Sequence, residues 1–123
     1  MTIIEAINKI DAVNPNSYSQ SDKIGWLSAL DGIIKNEIID THECADEVAF
    51  EKYTDDTPLD TVLLVPDPYD EVYIYFLESR IHYENEEFGK YNNAVSMYNT
   101  AFNKYMTHYN RTHMPRGGKF KFF

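Results

Sequence analysis

Ile24, Leu27, Leu30, Ile34 and Ile38 stand three or four residues apart along the chain. That interval belongs to the α-helix, in which side chains return to one face about every 3.6 residues, and not to the strand, in which they return every second residue. Similar spacing recurs in Ile3, Ile7, Ile10 and Val13, and again in Tyr91, Ala94, Val95, Tyr98, Ala101, Phe102, Tyr105 and Tyr109. The repetition predicts an all-α chain whose helices share one core. With 123 residues there is room for one such core, which excludes multidomain enzymes and full Rossmann or barrel architectures.

Local signals place the helix ends. Thr2 and Glu5 have the spacing of a capping box, so a first helix is expected from Thr2 to about Val13, closed by Asn14-Pro15-Asn16. Ser19 with Asp22 opens a second, expected to reach about Asp40. A third is expected from Asp67 as N-cap and Pro68 as first residue, with Asp70 and Glu71 in the first turn, to about Asn85. It is apolar nearly all round over Tyr69, Val72, Tyr73, Ile74, Tyr75, Phe76 and Leu77, which predicts a central position or a subunit contact. The fourth, Glu87 to Arg111, carries Asn92, Asn93, Ser96, Asn99, Asn103 and Lys104 on its other face. Its length of roughly 37 Å exceeds what a compact domain of this size needs.

Between helices two and three the pattern changes. Thr41 to Val65 holds Glu43, Asp46, Glu47, Glu51, Asp55, Asp56 and Asp60, with short alternating stretches at Val48 to Tyr53 and Thr61 to Val65. This reads as an extended loop or a small β-hairpin turning at Asp55 to Pro58. The whole is expected to be about four helices in an antiparallel, bundle-like domain over residues 1–113. A flexible basic tail over 114–123, broken by Pro115 and Gly117-Gly118, is expected to follow.

Charge is divided unevenly. Against 20 acidic residues stand 11 Lys and Arg, a net charge of -9, the wrong sign for gripping phosphates. Arg111, Arg116, Lys119 and Lys121 fall in a C-terminal stretch without acids, so residues 1–110 carry -13 and the end carries +4. Hydrophobic residues still make up 43% of the chain, enough to expect a folded core. Cys44 is the sole cysteine, so no intramolecular disulfide forms and a reducing compartment is expected. Met1 to Val13 lacks the layout of a signal peptide, and the apolar run Val72 to Leu77 is too short to span a bilayer. A soluble, intracellular protein is expected, in which Asn110-Arg111-Thr112 is a chance sequon.

Candidate chemistry is thin. Glu78 and His82 stand four apart, suited to a shared metal or to an ordinary polar pair, but the Glu-x-x-His spacing of di-iron bundles is absent. His42-Glu43-Cys44 has the residue types of a nucleophilic site without a positioning group. His108 and His113 suit the negative end of the fourth helix. The acidic stretch does not match a calcium loop, and Gly117-Gly118 lacks the rest of a phosphate loop. The expectation is a protein that is not an enzyme and has no cofactor or metal.

Binding features are stronger. Tyr69, Tyr73, Tyr75, Tyr83, Tyr98, Tyr105 and Tyr109 are more aromatic surface than one helical seam requires and are candidates for a subunit interface. Arg111, Arg116, Lys119, Phe120, Lys121, Phe122 and Phe123 alternate charge with phenylalanine, a pattern suited to docking on an acidic partner. The acids Glu43, Asp46, Glu47, Glu51, Asp55, Asp56 and Asp60 form a solvated face or a surface that keeps DNA from sticking.

The run Leu64-Val65-Pro66-Asp67-Pro68-Tyr69-Asp70-Glu71-Val72-Tyr73-Ile74-Tyr75, then Tyr91-Asn92-Asn93, then Tyr109-Asn110-Arg111-Thr112-His113-Met114-Pro115, resembles the head-tail connector (adaptor or head-completion) proteins of tailed bacteriophages and prophages. The likeness covers about Val62 to Pro115. It implies a mainly helical protomer of a homo-oligomeric ring beneath the portal, for which a dodecamer is one arrangement. The ring would extend the DNA channel, with the acidic loop as a candidate lining. Its C-terminal segment would dock on the portal protein, with downstream head-tail joining and tail proteins as further partners. DNA would pass without specific binding, and no membrane or small-molecule substrate would be involved. The implied locations are the bacterial host cytoplasm during assembly and then the virion neck. Two other readings compete: an acidic DNA mimic or small regulatory interaction protein, and a helical-bundle metal enzyme.

Overall fold

A computed structural model describes residues 1–115. Four helices carry the fold: α1 (Ile3–Val13), α2 (Gln20–Glu37), α3 (Glu71–Glu84) and α4 (Phe88–Thr112). Two short 3-10 turns, Ile39–Thr41 and Glu43–Glu47, follow α2. Among the described residues there is no strand, only the isolated bridges Thr2 to Val62 and His42 to Pro115. The chain is all-α.

The capping box at α1 forms as the spacing predicts: Thr2 Oγ1 accepts from the Glu5 amide at 3.2 Å and Glu5 Oε1 accepts from the Thr2 amide at 2.9 Å. Ile3, Ala6, Ile7 and Ile10 are buried, but Val13 is 58% exposed. The loop that covers α1 binds its first turn, where Ile3 and Ile4 donate to the carbonyls of Thr61 and Leu59, at the end of the helix away from Val13. At α2, Ser19 Oγ accepts from the Asp22 amide at 3.1 Å, and Ile24, Leu27, Leu30, Ile34 and Ile38 are all buried.

The 41–65 excursion is a loop, not a hairpin. Its tip turns at Thr54 to Thr57, yet its two limbs bind different partners. The limb at 59–63 pairs with Met1 to Ile4, while the Tyr53 amide donates to Ser28 Oγ of α2 at 3.0 Å. Backbone groups that a hairpin would pair with each other are satisfied by the helical body instead.

α3 starts at Glu71, three residues later than the Asp67-Pro68 signal predicts. Pro66 to Asp70 form a turn in which the Tyr69 amide donates to the Pro66 carbonyl at 2.9 Å. Asp67 therefore caps nothing, and Asp70 holds the cap position without a side-chain bond. α3 is central, as its all-round apolarity predicts: it packs against α1, α2 and α4, and it buries Val72, Tyr73, Ile74, Leu77 and Ile81. α4 packs against α3 alone among the helices, through buried Ala94, Ala101, Tyr105 and Tyr109. The turn between them is closed by Glu86 at φ 61, whose amide donates to the Tyr83 carbonyl while that of Glu87 donates to the His82 carbonyl at 2.9 Å.

Candidate interaction surfaces

The acidic excursion is held in place by a carboxylate buried beneath it. Asp31 lies on the core face of α2 and is fully buried. Its Oδ2 accepts from the Tyr53 hydroxyl at 2.6 Å and the Leu64 amide at 3.1 Å, and its Oδ1 accepts from the Tyr73 hydroxyl at 2.6 Å. Tyr73 in turn accepts from the Val65 amide at 2.7 Å. One carboxylate thus ties α2, α3 and both limbs of the loop together. Desolvation pushes its pKa above the usual aspartate value, an effect that the bonds from Tyr53, Tyr73 and Leu64 oppose. Both tyrosine hydroxyls are pushed upward, first by burial and then by the Asp31 charge.

On this anchored loop Glu43, Asp46, Glu47, Glu51, Asp55, Asp56 and Asp60 are all exposed. An open groove of about 540 Å³ runs between the limbs, lined by Phe50, Tyr53, Pro58, Val62 and Leu64 with Glu51 and Asp56. A second, of about 700 Å³, separates Phe50 to Thr54 from the outer face of α2 at Gly25, Ala29, Gly32 and Ile33.

The tyrosine candidates divide. Tyr73, Tyr105 and Tyr109 are buried in the chain's own core and unavailable to a neighbour. Tyr73 is spent on Asp31, and Tyr109 packs edge-on to His42 with ring centres 4.7 Å apart. Tyr69, Tyr75 and Tyr98 are half-buried and Tyr83 is 47% exposed. Tyr69 stacks on His108 at 4.6 Å, and Tyr98 lies between Phe76 and Phe102 at 5.3 and 5.8 Å. Burial holds the Tyr98 and Tyr105 hydroxyls up at about 12.

Of the basic candidates, Arg111 is exposed in the last turn of α4. Arg116, Lys119, Phe120, Lys121, Phe122 and Phe123 lie outside the described residues, as does Gly117-Gly118. The chain reaches them from a fixed point, because the Glu43 amide donates to the Met114 carbonyl at 2.9 Å beside the His42 to Pro115 bridge.

The catalytic residue types do not converge. His42 is buried with Nδ1 bonded to the Ile38 carbonyl at 2.6 Å, while Glu43 points to solvent. His82 bonds to Asn14 and, at 3.0 Å, to Glu87, leaving the Glu78 pairing unmade. Bonds from His82, Asn85 and Lys90 hold the Glu87 carboxylate down at about 2. Among the described residues no group of three or more His, Cys, Asp or Glu is placed to hold a metal ion, and no helix is long and apolar enough to cross a membrane.

Asp31 and Tyr53, which anchor the loop, are not among the candidate residues of the sequence. A signal existed: Asp31 stands four after Leu27 and three before Ile34, a polar residue at core-face spacing. No family model, curated protein or solved structure matches the chain.

Proposed function

We propose that this chain is a non-enzymatic structural protein of a tailed phage or prophage, a head-tail connector that forms a ring under the portal and extends the DNA channel. The observation that carries the reading is the fixed acidic loop. Seven exposed carboxylates stand on a segment that Asp31 anchors to an all-helical body. A surface of that sign repels phosphate, which suits a passage that DNA must traverse without sticking. The Val62 to Pro115 resemblance adds to this, and the basic C-terminal end has the charge to meet an acidic neighbour. The host cytoplasm during assembly, then the virion neck, are the locations that follow.

The test is a search of the gene's neighbourhood for a portal gene, then a pull-down with that portal protein and electron microscopy of the complex. Ring density under the portal is expected, and deletion of residues 116–123 is expected to weaken docking while the helical circular dichroism persists. A chain that ignores its portal refutes the reading. The same seven acids also favour a second reading, an acidic DNA mimic. That reading requires salt-sensitive binding to a basic DNA-binding enzyme and no portal contact.

A further inference from the structure

We propose that an exposed edge of α4 receives the tip of the acidic loop, at Asp55 and Asp56, of a second copy of this chain, giving a head-to-tail contact that leaves the other five acids of the loop uncovered. The inference deepens the ring reading above and rests on it only for closure of the assembly. α4 packs against no helix but α3; Lys90 and Met97 edge the groove that it shares with Tyr75, Glu78 and His82 of α3, and Lys104 and Arg111 continue that edge toward its C-terminus. From Phe88 to Thr112 there is not one acid in a protein of net charge -9. Lys90, Met97, Lys104 and Arg111 follow one another at intervals of seven, all exposed, so they fall in one line along about 31 Å of helix edge. Asn93, Thr100 and Thr107, each three residues on from a member of that line, lie exposed beside it and add hydrogen-bonding capacity without charge.

The occupant follows from charge. Residues 41–65 hold seven acids against the single base Lys52, all seven exposed and the loop pinned by Asp31. α4 against α4 would set lysine against lysine, and loop against loop would set acid against acid. Only α4 against loop sets opposite signs face to face. The loop is tied to α1, α2 and α3, and at its start His42 and Glu43 also meet the C-terminal end of α4 through Tyr109 and Met114, but the acidic tip at Thr54 to Thr57 and the α4 edge stand on different elements of one copy. Such a heterologous contact propagates and closes into a ring when the rotation allows. Lys90 is shared with Glu87 of its own chain at 3.3 Å, which leaves Lys104 and Arg111 as the stronger contributors.

The test uses the full chain. Light scattering across concentration and salt is expected to show self-association that weakens as salt rises, and carbodiimide is expected to cross-link Lys104 to Asp55 or Asp56 of another copy. Lys90→Glu with Lys104→Glu, or Asp55→Lys with Asp56→Lys, is each expected to weaken association at least tenfold. Mixing the two variants is expected to restore a pair, and circular dichroism checks that each is folded. A monomer at every concentration, association indifferent to both reversals, or cross-links joining α4 to α4 overturns the proposal. Loss of portal binding with the Lys104 cross-link intact sinks the connector reading alone. Portal binding without that cross-link sinks this interface alone.

Discussion

The Tyr73 hydroxyl donates to Asp31 Oδ1 at 2.6 Å and accepts from the Val65 amide at 2.7 Å, so one phenol serves a buried carboxylate and a buried amide at once. Tyr53 serves the same carboxylate, but its hydroxyl has no amide to satisfy. Tyr73→Phe therefore strands Asp31 Oδ1 and the Val65 amide, whereas Tyr53→Phe removes one of two donors to Oδ2, which keeps the Leu64 amide. The expected costs are about 2 kcal/mol and about 1 kcal/mol, since an unpaired buried polar group costs about 1–3 kcal/mol and one hydrogen bond is worth about 1 kcal/mol net. Urea denaturation of the two variants checks the order, and equal losses would show that the Val65 amide finds another acceptor.

Stability should depend on pH in two opposed ways. Asp31 has a folded pKa raised above 3.8, so the native state holds that proton better, and stability is lost as pH rises from 3.8 through the folded value. Removing a donor raises that pKa further, so the penalty of Tyr73→Phe should grow from acidic to neutral pH. Glu87 is shifted the other way: its contribution is present above 4.5 and lost as pH falls toward about 2. Glu87→Gln should flatten the acid limb of the wild-type curve. Denaturation midpoints from pH 2 to pH 8 test both signs.

Glu86 occupies a left-handed conformation between α3 and α4, at φ 61. The bonds from Glu86 to the Tyr83 carbonyl and from Glu87 to the His82 carbonyl are those of a Schellman turn, where glycine is favoured because it lacks a Cβ. Glu86→Gly should stabilise the protein by about 1 kcal/mol, the left-handed penalty of a Cβ less the extra entropy glycine loses on folding. Glu86→Ala, which keeps the Cβ, should not, and thermal melts of the pair separate backbone relief from loss of charge.

Lys23 of α2 is buried with its ammonium 2.7 Å from Asp11 of α1, whose side chain remains 44% exposed. Asp11→Ala strands a buried cation, at a cost of about 1–2 kcal/mol once solvent access to the site is allowed for. Lys23→Met removes the charge together with its need for a partner and should be close to neutral. Chemical denaturation that finds Lys23→Met the more damaging would overturn this account.

Much of the fold was legible because it is local. The Thr2 to Glu5 box, the Ser19 cap and the α2 stripe all depend on residues within a few turns of one another, and all form as their spacing predicts. The Pro66-Asp67-Pro68 signal misled by three residues, since the same residue types also build the turn that precedes a helix. Of the two forms expected for 41–65, the extended loop forms and the hairpin does not, because β-branched alternation reports a tendency to extend and not the partner that an extended segment finds. Among the tyrosines, composition showed the surplus but could not separate Tyr73, Tyr105 and Tyr109, which the core consumes, from Tyr69, Tyr75, Tyr83 and Tyr98, which keep some exposure.

The sequence by itself determined four helices, their amphipathic faces, the acid-rich excursion and the basic C-terminal end, because periodicity and charge are properties of order along the chain. Only the tertiary structure decided that Asp31 would be buried, since that depends on bringing Tyr53, Leu64 and Tyr73 from 22, 33 and 42 residues away onto one carboxylate. A carboxylate in that place is tolerable only when all its donors arrive together. Their arrival is what turns a loop of seven negative charges into a fixed surface.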